Sequence, residues 1–440
     1  MGSRRVQQWV RHSWDERPLR LDLVFYLVAA GYAVALALTD KHYGFRIWAN
    51  FAIAGYALAL AHTCWLRFTP GREGGRLRSR WVGVGAVAVV GMLAPLVFLL
   101  VRRLTGTDWL DTPWSWSAQP EVWVIERSAS LLLEGGTPYA DVTALGRPPV
   151  VNDYTPYGPV MTVFGLPRAL AGGTPVTDVL TDARLYFALT AVLCAWGAWR
   201  LLGRPRIPVR AAQLVAVFPL TALTFATAGP DLAIVGLLVL GAALAATDRP
   251  ASSATVLALV TSAKLIVLPA AVVLGVLVLA RLGRRALARF VLVLLAVCAV
   301  VNVPVYLVRP HAFAEHVIRF PAGLGAVTSP AASPLPGHLI AGTGPVGKVL
   351  AFVLLAAAAL AILWWLVRRP PVAGADALLR IAVGLGTFTM LTPATRFGYL
   401  VYPVVLLGAM LCFPSRESAS RVAATPGSGT TPESAPLTSS

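Results

Sequence analysis

Twenty acids in 440 residues leave few carboxylates that could do chemistry. Asp108, Asp111, Glu121, Glu126, Glu134, Asp141, Asp153, Asp178 and Asp182 all fall between residues 102 and 184, and most read as solvated loop charges. Glu121 and Glu126 differ. They begin EVWVIERSASLLLEGG (121–136), where Val122, Ile125, Ala129, Leu132 and Leu133 recur at helical spacing. An amphipathic helix lying on a membrane would hold both acids at a fixed depth; acids favoured by a helix N-terminus are the purely structural reading. Lys264 stands inside ATVLALVTSAKLIVLPAAVVLGVLVLA (254–280), where a charge costs ~2.5–3.5 kcal/mol on insertion scales, so an anionic partner is expected. Asp231 follows Gly-Pro at the start of an apolar run, a position that suits a cap as well as a site. Arg396 in TRFGY, and Arg319 in a segment with His311, Glu315 and His316, offer the planar fork that matches phosphate. His311 and His316 are five apart, not the four of a helical zinc pair, so no metal site is expected and both read as surface histidines.

These residues must be positioned by membrane helices. The chain is 57% hydrophobic and 13% charged, far below the roughly quarter-charged average of soluble domains. Apolar runs long enough to cross a bilayer recur at 21–38, 48–66, 81–101, 185–202, 211–228, 231–247, 290–308, 346–367, 377–393 and 397–412. The run at 254–280 is too long for one span and too short for two full ones, and has two readings: two half-helices meeting near Lys264 and Pro269, or one tilted helix along which the lysine snorkels. The net charge of +17 does not point to nucleic acid, because its arginines sit in short clusters between apolar runs. Cys64, Cys194, Cys298 and Cys412 lie in or at the ends of those runs with no metal-ligand spacing and read as packing residues. The first run reads as a retained span rather than a cleaved signal.

The arginine clusters at 4–20, 67–80, 204–210, 281–289 and 368–369 mark the cytoplasmic side. With the N-terminus inside, three spans put residue 102 outside, and an odd number of crossings must bring 204–210 back in. The run at 185–202 supplies one. DYTPYGPVMTVFGLPRAL (153–170) therefore does not cross; its fourteen residues from 157 make about 21 Å of helix, short of a span. It should lie in the outer interface with Tyr154 and Tyr157 at headgroup level. Residues 102–184 then form a large first extracytoplasmic loop and 309–345 a second. Arg102 and Arg103 fall outside, against the charge rule. The tail 413–440, rich in Ser, Thr, Pro and Gly, should be disordered and cytoplasmic.

EVWVIERSASLLLEGGTPY (121–139) followed by DYTPYGPVMTVFGLP (153–167) resembles the first outer loop of polyprenol-phosphate-sugar-dependent glycosyltransferases, in particular glycosyltransferase family 87 of the GT-C superfamily. GPDLAIVGLLVLGAAL (229–244), SAKLIVLP (262–269), RFPAGLGAVTSPAASPLPGH (319–338) and RFGYLVYP (396–403) resemble an actinobacterial branch. The likeness covers about 81–412, with 1–20 a cytoplasmic N-terminus and 21–80 two added spans. It implies an all-α polytopic membrane protein, a GT-C-like bundle of about 12 transmembrane helices with juxtamembrane helices in the first loop. Glu121 matches the position where the family carries Asp, which leaves Glu126 and Asp153 as rival bases.

The activity so implied moves a sugar, most simply mannose, from polyprenyl phosphate to a glycolipid or lipoglycan on the outer face, with inversion and no cofactor. The leaving phosphate is already a good anion, so one carboxylate suffices as base. Lys264, Arg396 and Arg319 would meet the phosphate, with Asp231, Tyr154 and Tyr157 lining the substrate site. A lipid-linked-sugar flippase, with Lys264 and Asp231 paired along the path, and a noncatalytic scaffold of envelope assembly are the alternatives.

Overall fold

The computed structural model describes residues 17–69, 75–106 and 117–414. The expected tail from 415 onward, the N-terminal arginines Arg4, Arg5 and Arg11, and Asp108 and Asp111 lie outside these. Among the described residues every regular element is helical, and Ala332 with Thr395 makes an isolated bridge. The helices are α1 (Pro18–Thr39), α2 (Tyr43–Phe68), α3 (Trp81–Thr105), α4 (Pro120–Gly135), α5 (Ala183–Leu201), α6 (Val209–Val215), α7 (Pro219–Thr227), α8 (Pro230–Ala246), α9 (Pro250–Thr261), α10 (Leu268–Leu282), α11 (Arg284–Val308), α12 (Pro345–Arg368), α13 (Gly374–Leu391) and α14 (Val401–Met410), with shorter turns between. Proline, frequent here, mostly opens helices instead of breaking them. Pro18, Pro120, Pro219, Pro230, Pro250 and Pro345 stand in first turns, where a missing N–H costs nothing.

Eight helices of the described residues are long and apolar enough to cross a membrane, or nine if α6 and α7, bent by 47°, count as one. α8, α9 and the segment Phe397–Met410 are apolar but shorter. The expectation of about twelve depends on whether those three cross. α11 and α12 bury little of their surface in the chain, leaving Leu292, Leu295, Val300, Leu360 and Trp364 exposed, as lipid-facing helices do.

Among the described residues two large hydrophobic cores result, with a small third cluster of Val142, Tyr154 and Phe320. The larger joins α4, α5, α8, α9, α10, α13 and α14 around residues such as Phe187, Leu238, Leu274, Leu378 and Tyr402. The smaller packs α1, α2 and α3 against α7 through Tyr26, Trp48, Tyr56, Val87 and Ala222. Close approach there depends on small residues: a Cβ on Gly55 would meet the Gly91 nitrogen at 3.0 Å. A buried polar knot fastens this layer to the rest, where Asp22 accepts from Arg80 at 2.6 and 3.0 Å, from Gln213 at 2.9 Å, and pairs with Arg210 at 2.8 Å.

Candidate functional site

The run at 254–280 takes the broken form. α9 ends at Thr261, Lys264 adopts extended backbone, and α10 begins at Leu268 after a short 3₁₀ turn. A broken helix exposes carbonyls that something must satisfy. The loop before α5 supplies the donors: Gly158 N–H reaches the Ala263 carbonyl at 2.8 Å and Val160 N–H the Ser262 carbonyl at 3.2 Å. From the other side, Asn302 of α11 donates to Ser262 Oγ at 2.7 Å. Gly158 is required by this contact, since a Cβ there would lie 2.2 Å from the Ser262 oxygen.

The break aims Lys264 at Asp231 in the first turn of α8, with Nζ 2.5 Å from Oδ1. Tyr402 of α14 donates to the same oxygen at 2.6 Å. Three tyrosine rings surround the ammonium, with centroids 4.6 Å (Tyr399), 5.6 Å (Tyr157) and 5.7 Å (Tyr402) away. Burial, reinforced by the nearby Glu121 and Asp231 carboxylates, holds the Tyr157 phenol protonated well above its ordinary range. Glu121 is brought alongside because Gln119 N–H donates to the Thr227 carbonyl at 2.8 Å, joining the start of α4 to the end of α7 just before Asp231. Its Oε1 takes Arg396 Nη1 at 2.5 Å. Its Oε2 is buried with no hydrogen-bond partner among the described residues. Arg396 is seated in turn by the second loop, through the Ala332–Thr395 bridge and Phe397 N–H to Ser333 Oγ at 3.0 Å.

Glu121, Arg396, Lys264, Asp231 and Tyr157 thus converge, while the other candidates sit elsewhere. Glu126 is closed into an arginine cluster: Arg103 Nη2 contacts both its oxygens at 3.0 and 3.1 Å, Arg168 approaches at 3.3 Å, and Ala183 N–H donates at 3.1 Å. Burial raises its pKa against the pull of Arg103. Asp153 is clamped by Arg147 at 2.7 Å to each oxygen and caps Val150 N–H, and the Arg147 bonds hold its carboxyl below the usual range. Arg319 is exposed and pairs with Glu315 at 2.8 Å. Tyr154 stacks on Phe320 at 4.2 Å and donates to Glu315 at 3.2 Å.

Two expectations are corrected here. Tyr154 and Tyr157 are buried in the protein, their rings against Phe320 and beneath Lys264, rather than presented to lipid headgroups; Val163 and Leu170 further along carry the exposed apolar face. His316 is fully buried rather than a surface residue. The segment 153–170 itself forms a seven-residue 3₁₀ helix and a six-residue α-helix packed on α4, neither the length of a span.

Tyr399 and Tyr402 went unnoticed in the sequence. The sequence signal is their spacing by three from Arg396; Tyr399 lies in the 3₁₀ turn Phe397–Leu400 and Tyr402 in the first turn of α14. Asp182 with Arg103 and Arg184 was missed as well, a buried set that joins the loop to α3. Among the described residues no three of His, Cys, Asp and Glu converge as they would around a metal.

Comparison with known proteins finds one likeness that bears on this cluster. The family model described as Glycosyltransferase family 87 matches residues 154–393, more than half of the chain. That span contains Tyr157, Asp231 and Lys264; it begins after Glu121 and ends before Arg396, so those two residues lie outside it. No curated protein and no solved structure matches.

Proposed function

Because the chain belongs to glycosyltransferase family 87, we propose that it is an inverting membrane transferase that moves a sugar, in the first instance mannose, from polyprenyl phosphate to a glycolipid or lipoglycan on the extracytoplasmic face. The observation that supports this most is the meeting of one incompletely bonded carboxylate, Glu121, with two cations, Arg396 and Lys264, from separate parts of the chain. An acceptor hydroxyl attacks the anomeric carbon, the bond from that carbon to the phosphate oxygen breaks, and its electron pair leaves with the phosphate. The hydroxyl proton passes to Glu121 Oε2, the atom without a partner. Arg396 and Lys264 meet the charge that gathers on the departing phosphate. Each now rests on a carboxylate, so an arriving phosphate exchanges one anion for another instead of entering an empty positive pocket. Asp231 and Tyr402 set the direction of the ammonium.

Transfer from radiolabelled polyprenyl-phosphate-mannose in membranes tests the reading, with Glu121→Gln, Glu126→Gln and Asp153→Asn compared side by side. Glu121→Gln should lower transfer by about 10²–10⁴-fold, the usual worth of a general base, with little change in thermal midpoint. Glu126→Gln should lower the midpoint, since it removes one of the two carboxylates that neutralise the buried Arg103. Full activity in all three would exclude a loop carboxylate as base. The Lys264–Asp231 pair also suits a lipid-linked-sugar flippase; movement of the labelled lipid across proteoliposomes without transfer would favour that reading.

A further inference from the structure

In the orientation read from the arginine clusters Arg102 and Arg103 stand against the positive-inside rule, and the structure separates the two residues. Arg103 is buried and neutralised by Glu126 and Asp182. Arg102 has no carboxylate partner among the described residues: its guanidinium lies 4.2 Å over the Tyr43 ring and donates to the Tyr43 hydroxyl at 3.3 Å. Tyrosine orients that charge and does not cancel it. Arg102 also ends an apolar groove of about 900 Å³, walled by Phe51 of α2 and by Val89, Leu93, Val97 and Val101 of α3, a size at the upper end of ligand pockets. The groove has a local cause. Pro95 cannot donate to a carbonyl one turn back, and the residues before it, Val87–Leu93, take a wider π-helical turn. The face carrying residues 93, 97 and 101 then runs straight to Arg102.

We propose that this groove holds an anionic glycerophospholipid of the bilayer, its phosphate on Arg102 and its acyl chains along α3. Charge decides the occupant: a chain-like apolar slot on an exposed helical face, closed at one end by an uncompensated arginine, matches a lipid with a net negative head. The groove opens from the smaller core, and none of its lining residues belongs to the Glu121–Lys264 cluster. The assignment is therefore independent of sugar transfer.

Native mass spectrometry of delipidated protein, titrated with dioleoylphosphatidylglycerol or dioleoylphosphatidylcholine, tests it. The wild type should prefer phosphatidylglycerol by about tenfold: both lipids offer a phosphate to Arg102, but only phosphatidylcholine brings a choline cation beside the guanidinium, and a like charge a few ångströms away costs on the order of the 1.4 kcal/mol that tenfold represents. Arg102→Gln should lose the preference and Arg102→Lys should keep most of it. Val97→Trp, which fills the slot, should lose retention of both lipids. Equal retention by wild type, Arg102→Gln and Val97→Trp would overturn the proposal. So would displacement of phosphatidylglycerol by undecaprenyl phosphate from the wild type at lower concentration, which would assign the groove to a polyprenyl chain instead. Should Val97→Trp fail to fold, the Arg102→Gln and Arg102→Lys pair still decides.

Discussion

His316 is neutral for a geometric reason. Its Nδ1 accepts from Thr155 N–H at 2.9 Å, so the remaining proton sits on Nε2, which donates to the Ala140 carbonyl at 2.8 Å. Tyr139 and Tyr154 flank the ring at 5.3 Å each. A second proton would set one N–H against another, and burial, aided by Arg127, lowers the pKa from 6.5 to about 4 despite Glu315 and Asp153 nearby. The unfolded chain therefore takes up a proton between those values that the folded chain refuses. Above pH 6.5 the residue is without effect; stability should fall as pH drops through the window, by about 3 kcal/mol in full, and level off below 4. Thermal midpoints of wild type and His316→Gln from pH 4 to 7.5 check this: the variant should lack the extra slope, and parallel curves would refute it. Nothing local in HAFAEH announces this residue as buried, since its partners lie some 160 or more positions away. Contacts outside the local segment also decide which cation each acid meets. Glu121 and Glu126 look alike in sequence, and only contacts with Arg396 on one side and Arg103 on the other tell them apart.

The broken helix at Lys264 was legible only as one of two forms, the other being a single tilted helix along which the lysine snorkels. What mends the break was not, for it comes from backbone groups of a distant loop. Gly158 carries that contact. Gly158→Ala should force the loop and the break apart, costing about 1–3 kcal/mol as overpacking does, and should lower transfer as well, because Tyr157 beneath Lys264 is its neighbour in the chain. Gly85→Ala, with open space around its Cβ, serves as control and should stay within about 0.5 kcal/mol. Equal midpoints for the two variants would show that the contact is dispensable. The helix at 120–135 was likewise readable from its period, as was the failure of 153–170 to span from its length. The burial of Tyr154 and Tyr157 was not, since a tyrosine wanted at a membrane surface and one wanted under a lysine carry the same signature in sequence.

Contacts at opposite ends of the molecule bear on its orientation. The two loops assigned to the outer face meet: Thr155 with His316, Tyr154 with Glu315 and Phe320. Three of the arginine clusters assigned to the cytoplasm also meet one another, for Arg80 and Arg210 share Asp22, and Arg210 reaches the Pro18 carbonyl at 3.0 Å. Parity of charge and contact thus sort the same segments into the same two groups, although they draw on different properties of the chain. Which group faces the cytosol rests on the charge rule alone, and the proposed donor requires the loops to be outside. Two exposed positions separate the possibilities, Ala144 in the first loop and Arg206 in an arginine cluster. With the four native cysteines replaced, a membrane-impermeant maleimide should label Ala144→Cys in intact cells and Arg206→Cys only after permeabilisation. The opposite pattern would turn Glu121 and Lys264 towards the cytosol, where nucleotide-activated sugars are the expected donors, and would remove the physical reason for a lipid-phosphate leaving group at this site.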